Sequence, residues 1–255
     1  MVFPIDLHIG AVIIPSHPIF ETLAFFIGYR YFLHVKSKNK ADPLSPGAEW
    51  WIVVGMAVGA FIGSRLVAAL EDPSLFAHAS TWLYYVGGQT ITGGIAGGLL
   101  GVEVTKKILK VRRKTGDLFV YPLMLGMMIG RVGCLLTGVS DGTVGLPSSL
   151  PWAFDQGDGI PRHPASLYEI IFLGLLWAFL KQVEKRGILK EGDLFAAFVF
   201  GYSAFRFCEE FIKPRDPLWI SLSSIQLLVA ALMIYYAVYF IRRYPFSPRI
   251  SHDHP

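Results

Sequence analysis

Charged residues are scarce in this chain: Asp, Glu, Lys and Arg make up 16% of its 255 residues, while hydrophobic residues make up 53%. This composition excludes an ordinary soluble domain, in which about 25% of residues are charged. Only two cysteines are present, which excludes a disulfide scaffold, and the high apolar content excludes a disordered chain. The composition is that of an integral membrane protein.

Long hydrophobic runs are what the sequence does contain, and there are seven of them. Each is close to the roughly 20 residues that a helix needs to cross the hydrocarbon of a bilayer. They lie approximately at residues 18-35, 48-70, 86-106, 118-137, 164-181, 194-212 and 220-241. Because no linker or low-complexity segment separates them, the sequence predicts an all-α polytopic protein whose residues 1-255 form a single transmembrane domain of seven helices.

Glycine is concentrated in the second and third of these runs. Gly55, Gly59 and Gly63 recur every four residues in the second, and three Gly-Gly pairs occur in or near the third. Small residues at this spacing are typical of membrane helices that pack closely. We therefore expect close packing of these two helices.

Positive charge is distributed unevenly over the loops. Sixteen of the 23 Lys and Arg residues follow the first, third and fifth runs or end the chain, including Lys40 and Arg249. The opposite side has Arg162, Lys213 and Arg215. Because basic residues are enriched in cytoplasmic loops, the amino terminus is expected outside and the carboxyl terminus in the cytoplasm. The net charge of +4 then reflects topology, and no nucleic-acid partner is expected.

Four further arginines lie inside the predicted spans: Arg30, Arg65, Arg131 and Arg206. A charge at this position costs at least a few kcal/mol unless it is paired or faces a wet cavity. At about 1.5 Å per residue, Arg131 and Arg206 both lie about 18 to 20 Å from the cytoplasmic start of their helices. Arg65 reaches a similar height, as do the carboxylates of three other positions, Glu21, Glu169 and Glu210.

Two interpretations fit this layer of charge. The groups could be structural ion pairs that join helices, or they could line a shared, water-filled cavity that opens to the outer leaflet. Interhelical polar contacts are worth only about 1 kcal/mol each, which favours the cavity for the set as a whole. An excess of arginine in such a chamber suits an anion, because a guanidinium binds phosphate bidentately, and a phospholipid head group is the simplest anion at that depth.

Local motifs add candidate residues to this layer. Pro164 falls where the fifth helix should begin, with Arg162 and His163 beside its free N–H groups, an arrangement that favours anions. His163 could instead be a helix cap with no chemistry. Arg131 stands between two glycines in Gly130-Arg131-Val132-Gly133, so backbone or ligand can approach closely.

Three segments carry a family resemblance. Gly130-Arg131-Val132-Gly133, Arg162-His163-Pro164-Ala165-Ser166-Leu167-Tyr168-Glu169 and Gly201-Tyr202-Ser203-Ala204-Phe205-Arg206 with Glu210 resemble motifs of the prolipoprotein diacylglyceryl transferase family. The resemblance implies a multi-pass enzyme of the cell inner membrane. It would move the diacylglyceryl group of phosphatidylglycerol onto the cysteine thiol of a prolipoprotein lipobox and release glycerol 1-phosphate. Neither a metal nor an organic cofactor is implied.

The chain both matches and departs from the family pattern. The positions of phosphate-handling and essential residues match at Arg131, Gly142, Arg206 and Glu210. The departures make this a divergent member: Thr92 replaces the histidine of a His-Gly-Gly motif, Cys134 replaces the asparagine after Gly-Arg-x-Gly, Val139 replaces an acid, and Glu21 replaces a tyrosine.

These considerations assign expected roles. Arg131 and Arg206 would stabilise the departing phosphate, Glu210 would orient Arg206, and the base would be Glu21 or His163. The expected substrate-binding residues are Arg162, Arg65, Glu169, Tyr168, Gly142, Thr92 and Cys134.

Two smaller questions stay open in the sequence. Cys134 could be a thiol activated by Arg131 or a small hydrophobe in a packing gap, and Asp141 could seat an acceptor or be solvated. Cys208 is expected in the core. Two functions other than the standard reaction also fit: a divergent paralogue with another thiol acceptor, or a non-catalytic protein that binds or transports anionic lipid.

Overall fold

The computed structural model describes residues 3–10, 12–38, 46–71, 88–214 and 221–245. These residues form seven α-helices, in chain order α1 (Ser16–Lys38), α2 (Pro46–Glu71), α3 (Ile91–Ile108), α4 (Val120–Thr137), α5 (Ala165–Lys185), α6 (Asp193–Glu209) and α7 (Ser224–Arg243). Two antiparallel hairpins pair β1 (Leu7–Ile9) with β2 (Val12–Ile14), and β3 (Phe154–Asp155) with β4 (Pro161–Arg162). The expected helical architecture is confirmed.

Four helical segments within the described residues are long and apolar enough to cross a bilayer: Gly47–Glu71, Gly116–Asp141, Ala165–Lys185 and Ser224–Arg243. Their outward faces are strongly apolar, as in α2, where Phe61 is 60% exposed and Ile62 is 58% exposed. Such faces suit lipid and would be costly in water. The chain is therefore a membrane protein. Of the other three helices, α6 has only 17 residues.

Helix starts differ from the sequence prediction where a capping residue sets them. Residues 86–87 and 220, where the third and seventh runs were predicted to begin, lie outside the described residues, as do Lys40, Arg215 and Arg249. Helix α3 starts at Ile91 because the Thr90 hydroxyl accepts a hydrogen bond from the Gly93 N–H. Helix α7 starts at Ser224 because Ser223 and Gln226 form a reciprocal capping box. Pro164 directly precedes α5, as its tolerance for a helix start predicts.

Helices α2 and α3 pack closely along their glycines, as the sequence predicted. Gly59 lies against the carbonyl of Gly97, and Gly63 lies against the carbonyl of Gly93, so the two helices run antiparallel. A Cβ atom at any of these positions would overlap backbone of the opposite helix. Glycine is therefore required here for close approach of the two backbones.

The main core lies among α4, α5, α6 and α7. Met124 of α4, Leu173 of α5 and Phe198 of α6 are fully buried in one cluster, to which Tyr236 of α7 also belongs. Helix α1 packs along α4. This arrangement brings the amino-terminal ends of α1 and α5 together with the carboxyl-terminal ends of α4 and α6, and most of the polar residues predicted from the sequence lie there.

Candidate functional site

A buried ion pair joins α4 to α5. The Nε atom of Arg131 lies 2.7 Å from Oε2 of Glu169, and the two side chains are 7% and 0% exposed. The hydroxyl of Tyr202 on α6 donates a hydrogen bond of 2.9 Å to the other carboxylate oxygen of Glu169. Three helices are thus connected through one carboxylate.

A second group of charges surrounds Arg206 at the carboxyl-terminal end of α6. Its guanidinium lies 2.6 Å from Oε2 of Glu209 and 2.9 Å from Oε2 of Glu210. The ammonium of Lys213 lies 3.3 Å from the same Glu209 oxygen. Burial lowers the pKa of Lys213 to about 8.

The two groups form a single cluster. Glu169 is within electrostatic reach of Arg206 and Lys213 as well as Arg131. We call the six residues Arg131, Glu169, Arg206, Glu209, Glu210 and Lys213 the charge cluster. It contains three basic and three acidic side chains, all buried.

This geometry differs from the open, arginine-rich chamber expected from the sequence. Arg131 is paired with Glu169, Arg206 is paired with Glu209 and Glu210, and the two arginine side chains are 7% and 10% exposed. The reason is that burying an unpaired guanidinium costs far more than burying an ion pair. The three carboxylates therefore balance the basic groups that the sequence placed at this depth.

A third polar group lies beside Arg131, and one of its members, His17, was not predicted. Nδ1 of His17, at the start of α1, lies 2.7 Å from Oδ1 of Asp141. The thiol of Cys134 lies 3.9 Å from the same His17 nitrogen and 3.6 Å from a terminal guanidinium nitrogen of Arg131. Cys134 is buried, and it therefore fills a gap between charged groups rather than a purely apolar one.

Gly133 explains how His17 comes so close to Arg131. A Cβ atom at Gly133 would lie 2.8 Å from Cβ of Phe20 and 3.5 Å from Cα of His17. The close approach that the sequence predicted at this glycine is therefore an approach of α1.

Alanine substitutions at Gly133 and Gly130, the two glycines on either side of Arg131, should differ in their effect on stability. Gly133→Ala is expected to destabilise the protein by about 1 to 3 kcal/mol, because overpacking forces α1 away from α4. Gly130→Ala is the control, since a Cβ atom there meets nothing within 4 Å. Thermal unfolding in detergent measures both. Equal transition temperatures for the two variants would contradict the proposed α1–α4 contact.

The segment before α5 and the first turn of α5 hold the other residues of the Arg-His-Pro motif. Arg162 is paired with Asp158 at 2.7 Å, and its hydrogen bonds lower the pKa of that carboxyl group. Nδ1 of His163 lies 3.2 Å from the hydroxyl of Tyr168, which also accepts a hydrogen bond from the indole of Trp152. The His163 side chain bonds Tyr168, and no side-chain cap is found at the start of α5.

Four more predicted site residues lie elsewhere. Arg65 donates to the carbonyl of Gly88 and stacks over the Phe61 ring, near the carboxyl-terminal end of α2 and the amino-terminal end of α3. Thr92 is buried at the start of α3, and its hydroxyl has no hydrogen-bond partner among the described residues. Glu21 is half-buried on α1, one turn from His17. Gly142 follows Asp141 with φ of +69°, a left-handed conformation that favours glycine.

Sequence reasoning missed several members of the site. Tyr202 lay within a motif and Glu209 lay three residues after Arg206, so helical spacing could have indicated both. Lys213 was counted as an outer-loop charge, but it is 7% exposed. No local signal indicated His17. Cys208, which was expected in the core, is exposed, so that prediction was wrong.

One group of residues has the chemistry to hold a metal ion. The ligand atoms of His17, Cys134 and Asp141 lie within 4.8 Å of one another. The guanidinium of Arg131, 3.6 Å from the sulfur, places a fixed positive charge beside this group. That charge disfavours a cation, and the arrangement fits proton transfer better than metal binding.

Comparison with known proteins gives a consistent result. The family model for prolipoprotein diacylglyceryl transferase matches residues 4–242. A phosphatidylglycerol–prolipoprotein diacylglyceryl transferase of Pseudoalteromonas translucida is 31% identical over 76% of this chain and 75% of its own length. The protein of the same name from Glaesserella parasuis is 28% identical over 84% of this chain and 81% of its own length. The one from Cupriavidus metallidurans is 27% identical over 92% and 93%.

Proposed function

Because the chain belongs to the prolipoprotein diacylglyceryl transferase family, we propose that it moves the diacylglyceryl group of phosphatidylglycerol onto the cysteine thiol of a prolipoprotein. The observation that carries this proposal is the family match over residues 4–242. Relatives that align with most of the chain bear the name of this activity. The protein is a membrane-embedded transferase.

The reaction requires a nucleophile and a stabilised leaving group. The sulfur of the prolipoprotein cysteine attacks the glyceryl carbon, the bond from that carbon to the phosphate oxygen breaks, and glycerol 1-phosphate departs. The thiol proton passes to a base. Negative charge develops on the departing phosphate, so fixed cations aimed at it lower the barrier.

The charge cluster is suited to this task. Arg131 and Arg206 are held by carboxylates from defined directions, so their guanidinium groups are positioned before substrate arrives. Lys213 is a third cation in the same cluster. An approaching phosphate oxygen would accept hydrogen bonds from guanidinium N–H groups that are now directed at Glu169 or Glu210. The carboxylates thus orient the cations, which is the role expected for Glu210.

We further propose that all seven helices cross the inner membrane, with the amino terminus outside. Seven helices in the described residues and the loop charge bias support this topology. The charge cluster then lies beneath the outer surface, where phosphatidylglycerol of the outer leaflet and a lipobox peptide can meet. We propose that Arg162 and His163, just before α5, and Tyr168, in its first turn, contact the peptide.

Turnover in a defined system tests the function. Purified protein in vesicles that contain deuterium-labelled phosphatidylglycerol is incubated with a synthetic lipobox peptide, and the peptide is analysed by mass spectrometry. We expect a mass increase equal to one labelled diacylglyceryl group, and none with a peptide whose cysteine is replaced by serine.

Two other results would lead elsewhere. Labelled product on a different small thiol, but not on the lipobox peptide, would indicate a paralogue with another acceptor. Binding of phosphatidylglycerol without turnover of any thiol would indicate a lipid-binding or transport protein. Rescue of a strain depleted of its own transferase checks the same point in cells.

A further inference from the structure

The His17 imidazole has the surroundings of an oriented base. Its Nδ1 atom lies 2.7 Å from Oδ1 of Asp141, and the other oxygen of Asp141 accepts a hydrogen bond from the hydroxyl of Thr143. A neutral imidazole that donates Nδ1–H to a carboxylate must have its lone pair on Nε2. The carboxylate therefore fixes both the tautomer and the direction of the ring.

His17 is also accessible, unlike the charge cluster beside it. Its side chain is 39% exposed, whereas that of Asp141 is 8% exposed. The buried partner is thus the orienting group and the exposed partner is the one that a substrate can reach. The position is fixed further by the first turn of α1, where the Ser16 N–H bonds the carboxylate of Asp6.

The pair lies next to the proposed phosphate site. Cys134 bridges the two, with its sulfur 3.9 Å from Nδ1 of His17 and 3.6 Å from Arg131. An attacking thiol and a departing phosphate must lie on opposite sides of one carbon atom, a few ångströms from each other. The thiol of Cys134 is the one group that these contacts place between His17 and Arg131.

Thr92 and Glu21 do not fill the role of the general base. A threonine hydroxyl has no useful basicity at neutral pH, and Thr92 is buried on α3. Glu21 lies one turn along α1 from His17, and no hydrogen bond or ion pair joins it to another described residue.

We propose that His17 is the general base of the transfer reaction and that Asp141 is its positioning residue. This inference rests on the proposed function. Nε2 of His17 accepts the proton of the prolipoprotein thiol as the sulfur–carbon bond forms. The electron pair of the breaking carbon–oxygen bond remains on the phosphate, which leaves beside Arg131 and Arg206. No oxidant, reductant or metal enters the step.

The charges that face His17 come from three elements. Asp141 and Cys134 face it from the end of α4 and the turn after it, with Arg131 behind the thiol. Asp6, which directly precedes β1, accepts a hydrogen bond from the Ser16 N–H at the start of α1, and Glu21 lies on α1 itself. The rate should therefore be compared at one fixed pH, so that titration of these neighbours does not enter.

A selenocysteine lipobox peptide separates a base from a structural residue. A selenol is far more acidic than a thiol and is ionised at neutral pH, so it needs no base. We expect His17→Gln to lower kcat with the cysteine peptide by about 10² to 10³-fold, with KM changed less than about twofold. With the selenocysteine peptide the same variant should fall within about tenfold of wild type.

Three further variants serve as comparisons and as a control. Asp141→Asn should reduce kcat with the cysteine peptide less than His17→Gln does, and added imidazole should partly restore His17→Ala. The matched control is His8→Gln, because His8 is an exposed histidine on β1; this variant should behave as wild type. If His17→Gln does not fold, Asp141→Asn with both peptides gives the same comparison.

Several outcomes would overturn the proposal. Equal losses with the two peptides would assign His17 a structural role, and full activity of His17→Gln would exclude it from the reaction. Wild-type activity that a chelator removes and zinc restores would favour a metal at His17, Cys134 and Asp141. Absence of turnover by the wild type with both peptides would refute the proposed function itself, which separates that failure from failure of the base assignment.

Discussion

Arg206→Gln is expected to reduce diacylglyceryl transfer by about 10² to 10³-fold, the loss typical when one preorganised group for charge stabilisation is removed. The guanidinium of Arg206 bonds Glu209 and Glu210 at once, at 2.6 and 2.9 Å. Glutamine cannot supply the charge that the departing phosphate needs. Initial rates with labelled phosphatidylglycerol measure the effect, and the loss should appear in kcat more than in KM.

Stability has to be measured alongside, because the same variant leaves two buried carboxylates without their partner. Breaking a buried ion pair by removing one side costs about 3 to 5 kcal/mol. The double variant Arg206→Gln with Glu210→Gln removes one uncompensated carboxylate and should recover part of the stability but none of the activity. Arg30→Gln, at an exposed arginine of α1, is the control. A stable Arg206→Gln protein with near-normal kcat would refute the role given to this residue.

Gly97→Ala should destabilise the protein by about 3 kcal/mol, the upper end of the range for overpacking. A Cβ atom there would overlap the carbonyl of Gly59 and lie 2.8 Å from Cα of Gly63, and backbone atoms cannot move aside as a side chain can. Helices α2 and α3 must therefore separate. The midpoint of thermal unfolding in detergent should fall by several degrees.

The neighbouring glycine gives a matched control. At Gly98 the nearest atom to a new Cβ is the Cβ of Ala60, 3.5 Å away, which is an ordinary van der Waals contact. Gly98→Ala should therefore be neutral or slightly stabilising, because alanine is the better helix former by about 1 kcal/mol. If the two variants have the same midpoint, the close α2–α3 packing is refuted.

The sequence predicted the helices well because hydrophobic length and glycine spacing are local properties. It placed all seven runs close to the helices observed, and the spacing of Gly55, Gly59 and Gly63 indicated their packing. It misjudged helix starts such as that of α3, where one capping threonine decides the boundary.

The site was less accessible to sequence reasoning because its contacts join distant residues. Arg131 and Glu169 could be placed at one depth, but depth does not say which side of a helix faces which neighbour. Asp141 lies 124 residues from His17 in the chain, and only the packing of α1 on α4 brings them together. The balance of charge was also missed, since Glu209 and Lys213 lay outside the predicted set.

The balance of basic and acidic side chains in the charge cluster should affect how the protein distinguishes lipids from soluble ions. A cluster whose cations are already satisfied offers little attraction to inorganic phosphate or nucleotides in the surrounding water. An anion can enter only by displacing an internal carboxylate, and this exchange is unfavourable unless another part of the ligand supplies binding energy. Two acyl chains in the surrounding bilayer would supply it, so selectivity for a membrane lipid follows from the same carboxylates that hold the arginines in place.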